Sequence, residues 1–597
     1  MLKYQYIYIE EERGQLYLDK QDKKTLDAIR HQVHMTGELL TLRQMLDRME
    51  VYGDRPCMVE KEKGVVVTHS VRDFREDVYA LGTALLDMGL KGKHIGILSE
   101  NSYRWVVTFF AVTCGVGVVV PVDKELKDED ISFLFTKADT DAVFFSNMYR
   151  KTARKHKEAD ANCVALVCMN KKQEDPDVLF IDDLIAKGKE LIKAGDTRYA
   201  EAKVEKEDLA AIVFTSGTTG VNKGVMLSHG NFAQNADGVL ESIPPEYSSI
   251  SLLPMNHVYE LSCDIFTALY MNAVIYINDS IKNFMNNVQE FKPDAFAIVP
   301  LVIDTIYNTI WRTAEQTGKA EVLKKAMKVS NFLLDKCHID LRPVLFKNIS
   351  EKFGGKFPTM SCGGAPTRVE YVKCLCDLGF KIYNGYGLTE SSPTVTLNLD
   401  CRHKPDCAGK AFPKAQFMIH DPDENGVGEI WIRGENVTKG YYKDEAATAA
   451  SFEDGWFKTG DYGRTDEEGL LYIAGRKKNL IILDNGKNVY PEEVESFFME
   501  HIDYIQDVVV FEGEKEIGGR PQKIIVGAVH TNPENLPDKT EEEIIDRMRE
   551  DIGKVNKLLP GYKRLQDLYL TTEEFEINST RKVIRQKVID RYYASIK

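Results

Sequence analysis

Positive charge is what this sequence is short of. Its 77 lysines and arginines face 92 aspartates and glutamates, giving a net charge of −15 and a pI near 5.5. That balance argues against non-specific binding to nucleic acid, and it requires any anionic ligand to be held by local cationic groups. A disulfide framework is also missing. The 11 cysteines are odd in number and scattered, which suits a reducing cytoplasm. They do not fall at metal-ligand spacings either: Cys401, His403 and Cys407, or Cys374 with Cys376, match no known site pattern. The first residues, Met1-Leu-Lys-Tyr-Gln-Tyr-Ile-Tyr-Ile-Glu10, have neither the apolar core nor the small-residue cleavage site of a secretory leader, so a soluble protein is expected. One uncharged run, Trp105–Val122, reaches 18 residues, the length at which a membrane helix becomes a candidate. Gly115, Gly117, Pro121 and the β-branched Val118–Val120 break it. It reads instead as a buried helix over Trp105–Cys114, a turn, and a strand ending near Pro121. Internal repeats and low-complexity tracts are absent from the sequence.

At 597 residues the chain exceeds what one hydrophobic core supports, and 43% hydrophobic with 28% charged residues describes an ordinary globular protein. Apolar runs at His94–Leu98, Ala142–Phe145, Val164–Cys168 and Ala295–Val299 read as buried parallel strands, with helical patterns such as Val71–Met88 between them. From about Ala408 the texture changes to short Gly- and aromatic-containing strands (Glu429–Arg433, Gly440–Tyr442, Leu470–Ile473), which suggests a small barrel or meander. After Gly475-Arg476 a new unit begins, with strands at Asp507–Phe511 and Ile524–Val529 and a charged helix near Glu541–Leu558. The expected fold class is α/β: a large N-terminal domain (residues 1–475) of layered α/β subdomains plus a small β-barrel, and a smaller α+β C-terminal domain (residues 476–597).

The run Leu209–Phe214 reads as a buried strand feeding Thr215-Ser216-Gly217-Thr218-Thr219-Gly220-Val221-Asn222-Lys223-Gly224-Val225. Glycines admit backbone N–H groups close to phosphate oxygens, hydroxyls add donors, and lysine adds a mobile charge, so this is a polyphosphate-binding loop. It is not a P-loop of the G-x-x-x-x-G-K-[ST] type. Asn222 precedes Lys223 and Gly224 follows it, so the adjacent glycine and the magnesium-binding hydroxyl are both missing. A plain Gly/Thr/Ser surface turn is the bland alternative.

At every fixed position this loop matches the signature of the adenylate-forming superfamily, which includes acyl-CoA synthetases, peptide-synthetase adenylation domains and luciferases. Further motifs occur in the family's order. Asn384-Gly385-Tyr386-Gly387-Leu388-Thr389-Glu390 resembles the motif whose backbone and Tyr386 flank adenine, whose Thr389 contacts the α-phosphate and whose Glu390 helps hold magnesium, with Thr218 as a second metal contact. Ser361-Cys-Gly-Gly364-Ala365-Pro366 resembles a wall of the adenine pocket. Asp461, in Gly455-Trp-Phe-Lys-Thr-Gly-Asp461, resembles the carboxylate that accepts from both ribose hydroxyls, with Arg476 as a second ribose or phosphate contact. His257, in Leu253-Pro-Met-Asn-His257-Val-Tyr-Glu260, is similar to the histidine bordering the acyl-carboxylate pocket. Lys582, in Asn578-Ser-Thr-Arg581-Lys582, resembles the mobile C-terminal lysine, although Arg581 stands where the family has glycine. Lys478 resembles the hinge pivot, and Asp484–Tyr490, with Asn485 and Gly486, would face the thiol substrate.

The resemblance implies an enzyme that uses ATP, Mg2+ and CoA. Lys582 would bridge the carboxylate and the α-phosphate as pyrophosphate leaves, and a rotation of the C-terminal domain would then admit a thiol to the acyl-adenylate. Charge neutralisation and alignment do the catalytic work, so no cysteine is assigned a role. A helical stretch between Ile310 and Ser361 is similar to the long-chain fatty acyl-CoA synthetase branch. Alternatives are an acyl-carrier protein as acceptor, a medium-chain or aromatic acid as substrate, and a non-catalytic adenylate-binding scaffold, against which the retained Lys223, Glu390, Asp461 and Lys582 argue. The family's adenylate-only branch has an insertion after the hinge that Lys478–Tyr490 lacks, which favours CoA. Lys324, Lys325 and Lys328 beside Leu323, Met327 and Leu333 suggest either a solvated amphipathic helix, the preferred reading, or a weak peripheral membrane contact. The expected localisation is cytoplasmic, with the inner membrane face as a peripheral option.

Overall fold

The computed structural model describes residues 20–172, 175–215, 222–483, 487–517, 520–577 and 583–596. Two sheets organise the large N-terminal region. Seven strands form the first, in the spatial order Val178–Phe180, Ala165–Cys168, Thr140–Phe145, His94–Leu98, Val118–Pro121, Leu209–Thr215 and Lys223–Ser228. All pair in parallel except the last two, which form a hairpin around the phosphate loop. The second sheet has nine strands, and its parallel centre contains Ala295–Ile298, Thr359–Cys362 and Lys381–Gly387. Antiparallel strands close both of its edges.

Helices fill the space between these sheets, and the innermost of them is apolar nearly all round. Tyr103–Thr113, the expected buried helix, has every residue buried except Arg104. Ser102 caps its start by accepting from the Trp105 amide. Phe74, Phe109, Phe110, Phe232 and Phe266 meet there with ring centroids 5.3–6.4 Å apart. Full burial of each such side chain stabilises by roughly 1.5–3 kcal/mol. The outer faces are covered by Asp128–Lys137 on the first sheet and by Phe284–Phe291 and Pro300–Gln316 on the second. Among the described residues no helix is long and apolar enough to cross a membrane.

The helical stretch expected between Ile310 and Ser361 begins with two helices, Pro300–Gln316 and Ala320–Cys337. Gly318, at φ +66°, takes the left-handed conformation that breaks them apart. The barrel-like region is a half-open, five-stranded antiparallel sheet built on Gly428–Gly434 and Trp456–Thr465. Gly440–Tyr442, expected as one of its strands, is not part of that sheet. Tyr441 makes a single antiparallel bridge to Val225 beside the phosphate loop instead.

Beyond Arg476 the chain builds cores of its own. Val494, Phe498, Ile544, Met548 and Ile552 pack on one face of the sheet Asp507–Ile517, Arg520–His530 and Asp567–Thr571. Phe575, Val588 and Tyr592 cover the other. Arg368 reaches across to this region, donating to the Ile505 carbonyl at 2.8 Å.

Candidate active site

The phosphate-loop hairpin ends with Thr215 directly opposite Lys223. Ser216, Gly217, Thr218, Thr219 and Gly220 lie outside the described residues, as do Asn485, Gly486 and Lys582. The loop's exit is fixed: Lys137 donates to the Asn222 carbonyl at 2.7 Å, and the Tyr442 amide donates to the Gly224 carbonyl at 2.7 Å. Lys223 Nζ then lies 4.7 Å above the centre of the Tyr441 ring, within the range of a cation–π attraction.

Glu390 meets the same tyrosine at its hydroxyl. It sits in the short turn Thr389–Ser391 just after the strand Lys381–Gly387. Its Oε1 accepts the Tyr441 hydroxyl at 2.9 Å, and its backbone carbonyl accepts the Thr438 amide at 2.7 Å. Burial holds the Glu390 carboxyl above the ordinary carboxylate value, against the pull of Tyr441, Arg476 and Lys223. Its charge is thus only partly compensated. A divalent cation that prefers oxygen ligands fits this carboxylate, and magnesium is the one that phosphate chemistry calls for.

Asp461 and Tyr386 form the next part of the site. The strand Trp456–Thr465 pairs Asp461 directly with Arg476 on Leu471–Arg476. Asp461 is 3% exposed. Its Oδ1 accepts from Arg476 Nε at 2.9 Å and its Oδ2 from the Tyr386 hydroxyl at 2.7 Å. Burial, then the Asp461 charge, pushes the Tyr386 phenol well up, so it remains a donor.

The two glycine turns are neighbours because their strands are. Thr359–Cys362 and Lys381–Gly387 run parallel, with Cys362 opposite Asn384. A Cβ on Gly363 would come within 3.4 Å of the Gly385 carbonyl, so the two turns leave a narrow slot that larger residues would fill. Gly364 is exposed at φ +87°, and Ala365 is half-buried beside it. Thr389 is half-buried next to Glu390.

His257 precedes a π-helix, Tyr259–Phe266, a rare form concentrated at functional sites. Tyr259 donates to the Ser361 carbonyl at 2.6 Å, which ties this element to the strand Thr359–Cys362. Asn101 clamps the preceding loop, donating to the Leu253 carbonyl at 2.7 Å and accepting the Met255 amide at 3.0 Å. The π-helix also buries two carboxylates, Glu260 and Asp264. Burial raises both, Asp264 to about 7, and the Asp264 charge raises Glu260 further.

Of the residues singled out from sequence, the structure therefore gathers Lys223, Glu390, Asp461, Tyr386 and Arg476 through a handful of shared contacts. Sequence reasoning missed Tyr441, Asn101 and the Glu260–Asp264 pair. For Tyr441 the sequence offers only the glycine before it; that Gly440 sits at φ +132° with room for no Cβ beside Thr448, as a turn and not a strand, is seen only in the structure.

Known proteins bear on this geometry. The chain is 26% identical over 573 residues to the long-chain-fatty-acid–CoA ligase FadD15 of Mycobacterium bovis, covering 89% of this chain and 92% of that protein. It is 24% identical over 620 residues to the chloroplastic long-chain-fatty-acid–[acyl-carrier-protein] ligase AEE15 of Arabidopsis thaliana, covering 92% and 85%. The fold superposes on O-succinylbenzoate coenzyme A synthetase of Bacillus subtilis, solved with ATP and magnesium ion, with a TM-score of 0.68 at 20% identity over 92% of this chain and 99% of that one. The model of the AMP-binding enzyme family matches residues 46–442, and that of the AMP-binding enzyme C-terminal domain matches residues 478–597. With most of its length covered by these two models, the chain belongs to the AMP-binding enzyme family.

Proposed function

We propose that this chain is an AMP-forming acyl-CoA synthetase that activates a long-chain fatty acid with ATP and passes the acyl group to CoA. The observation carrying the proposal is the arrangement around two tyrosines. Tyr441 touches both Lys223 and Glu390, and Tyr386 touches Asp461, itself paired with Arg476. A lysine, a carboxylate suited to a cation and a buried diol acceptor suit the phosphates, metal and ribose of one nucleotide. The near-full-length match to a long-chain-fatty-acid–CoA ligase supports the acid and the acceptor.

The chemistry joins one anion to a polyanion, so the protein's task is charge compensation and alignment. In this reading Lys223 meets the β- and γ-phosphates, Thr215 to Gly220 wrap them, and Thr389 contacts the α-phosphate. Asp461 accepts the ribose hydroxyls with Arg476 alongside. Asn384 to Gly387, Gly364 and Ala365 enclose adenine, and His257 borders the acyl carboxylate. Glu390, with Thr218, holds Mg2+, which when bound neutralises phosphate charge. Lys582 meets the carboxylate and the α-phosphate as the acid attacks and pyrophosphate leaves. Residues 476–597 then turn about Lys478 against residues 1–475, bringing Asn485 and Gly486 to CoA. The separate cores beyond Arg476 support such a moving unit.

Acid-dependent ATP–pyrophosphate exchange and thioester formation, measured over short, long and aromatic acids, test the proposal. Exchange with no acid at all would reject it. Adenylate without CoA thioester would turn attention to an acyl-carrier protein as acceptor, the activity named for the Arabidopsis relative.

The membrane reading gains support from Ala320–Cys337. Leu323 and Met327 pack on the second sheet's core, while Val322, Val329 and Phe332 point outward, 65%, 55% and 62% exposed. Lys325 and Lys336 lie on the same exposed stripe. An apolar stripe flanked by cations, on a protein of net charge −15, complements an anionic lipid surface, where long-chain acids partition. It fits a cytoplasmic protein held peripherally at the inner membrane face. Phe332→Glu should abolish co-sedimentation with phosphatidylglycerol vesicles; unchanged binding would remove this face from consideration.

A further inference from the structure

The contacts of Tyr441 reach beyond the assignments made above. Its backbone is zipped to the strand that starts with Lys223: Tyr441 bridges Val225, the Met226 amide donates to the Gly440 carbonyl at 3.0 Å, and the Tyr442 amide donates to the Gly224 carbonyl at 2.7 Å. Thr438 locks the same turn, donating to the Met226 carbonyl at 2.6 Å, while Thr448 Oγ1 accepts the Tyr441 amide at 2.9 Å. Tyr442 anchors it to the first sheet through its hydroxyl, 2.7 Å from Asp139. The ring is thus a rigid fixture, 6% exposed. One face looks at Lys223 Nζ from 4.7 Å, and the hydroxyl grips Glu390 at 2.9 Å.

We propose that Tyr441 is a positioning residue that couples the phosphate-loop lysine to the metal-binding glutamate. Its hydroxyl fixes the Glu390 carboxylate for the cation, and its ring sets the resting place of the Lys223 ammonium. Two groups of opposite charge, from elements more than 160 residues apart in the chain, would otherwise pair directly. An ion pair between them would satisfy Lys223 with protein charge and Glu390 with lysine, leaving neither for nucleotide or metal. A neutral aromatic between them attracts the cation through its quadrupole and the carboxylate through its O–H. Each group is therefore held near the other without being neutralised by it. The inference rests on the adenylation reading of this site.

The experiment uses the full chain and Tyr441→Phe, Tyr441→Leu, Glu390→Gln and the Tyr441→Phe/Glu390→Gln double variant. Binding of ATP is followed calorimetrically without acid substrate, with and without Mg2+, alongside melting temperature. Tyr441→Phe keeps the ring and loses the hydroxyl's bonds to Glu390 and Ser451, of which only the first reaches the cation site. It should raise the half-saturating Mg2+ concentration roughly tenfold, as expected for one hydrogen bond to a charged group, while leaving metal-free ATP binding within error and lowering the melting temperature by no more than a few degrees. Tyr441→Leu should also weaken metal-free ATP binding, because Lys223 loses its aromatic support. In the Glu390→Gln background, Tyr441→Phe should shift the Mg2+ dependence by less than about twofold, since the link is already weakened. A Tyr441→Phe protein with the parent's Mg2+ dependence overturns the inference and leaves the adenylation reading standing. So does full additivity in the double variant. A parent chain that binds no ATP with Mg2+ overturns both.

Discussion

The sharpest prediction concerns Asp461, whose carboxylate is built into the site on both oxygens: Tyr386 donates to one at 2.7 Å and Arg476 to the other at 2.9 Å. If this group accepts the ribose hydroxyls, its charge matters twice, once for the fold and once for the nucleotide. Asp461→Asn keeps the shape and a carbonyl for Tyr386 but removes the charge. For the fold the cost is small. Arg476 is 46% exposed on its side chain, and such a pair contributes no more than about 1 kcal/mol. For the nucleotide the cost is larger, because two hydrogen bonds to a carboxylate are weakened or lost and each is worth about 1.5–3 kcal/mol. With one partly retained by asparagine, a net loss of about 2–3 kcal/mol corresponds to a roughly 30- to 150-fold drop in kcat/KM for ATP. The discriminating assay is a cycle with 2′,3′-dideoxy-ATP in the exchange reaction. The parent should lose at least that factor when the ribose hydroxyls go; Asp461→Asn should lose markedly less, because most of the contact is already gone. Equal penalties in both proteins would refute the ribose assignment, whatever happens to overall activity.

Three further outcomes are expected. Lys223→Ala should lower ATP–pyrophosphate exchange by about 10²- to 10³-fold, the range found when one preorganised charge-stabilising group is removed, with little change in melting temperature. Lys582→Ala should abolish adenylate formation yet largely spare thioester formation from supplied acyl-adenylate; equal loss of both half-reactions would contradict the turning C-terminal domain. Asp264, raised by burial to about 7 from a usual 3.8, is a carboxyl that folding prefers protonated. Its ionisation therefore penalises the fold above the unfolded value, increasingly as pH rises from about 4 to about 7. Asp264→Asn should melt higher than the parent by a margin that widens over that window and then levels off; a margin constant with pH would show that Glu260, not Asp264, carries the proton's effect.

Much of the fold was legible because it depends on local pattern. The strand His94–Leu98 has the limits its apolar run predicts, and the helix from Tyr103 and strand to Pro121 follow from where glycine and proline interrupt the uncharged run. Ser70, Ser102 and Thr540 cap helices as their side chains allow. Where the local pattern was ambiguous the reading failed. Gly440-Tyr-Tyr442 has the composition of a short strand, yet its neighbour is Val225, more than two hundred residues earlier.

The site divides along the same line. Residue types and spacing were enough to single out the loop that ends in Lys223, whereas Glu390, Asp461 and Arg476 were picked out by the resemblance of their short motifs to those of the adenylate-forming superfamily. That Arg476 ends the strand paired with Asp461's own, directly opposite it, only the structure shows. How the four communicate was not readable. Tyr441 holds Lys223 and Glu390 only because two separate segments converge on it, and Tyr386 reaches Asp461 only across the gap between the second sheet and the small antiparallel one. Chemistry confined to a dozen consecutive residues is written in the sequence, whereas a contact between distant segments exists only once two sheets and their helices have packed around a common core.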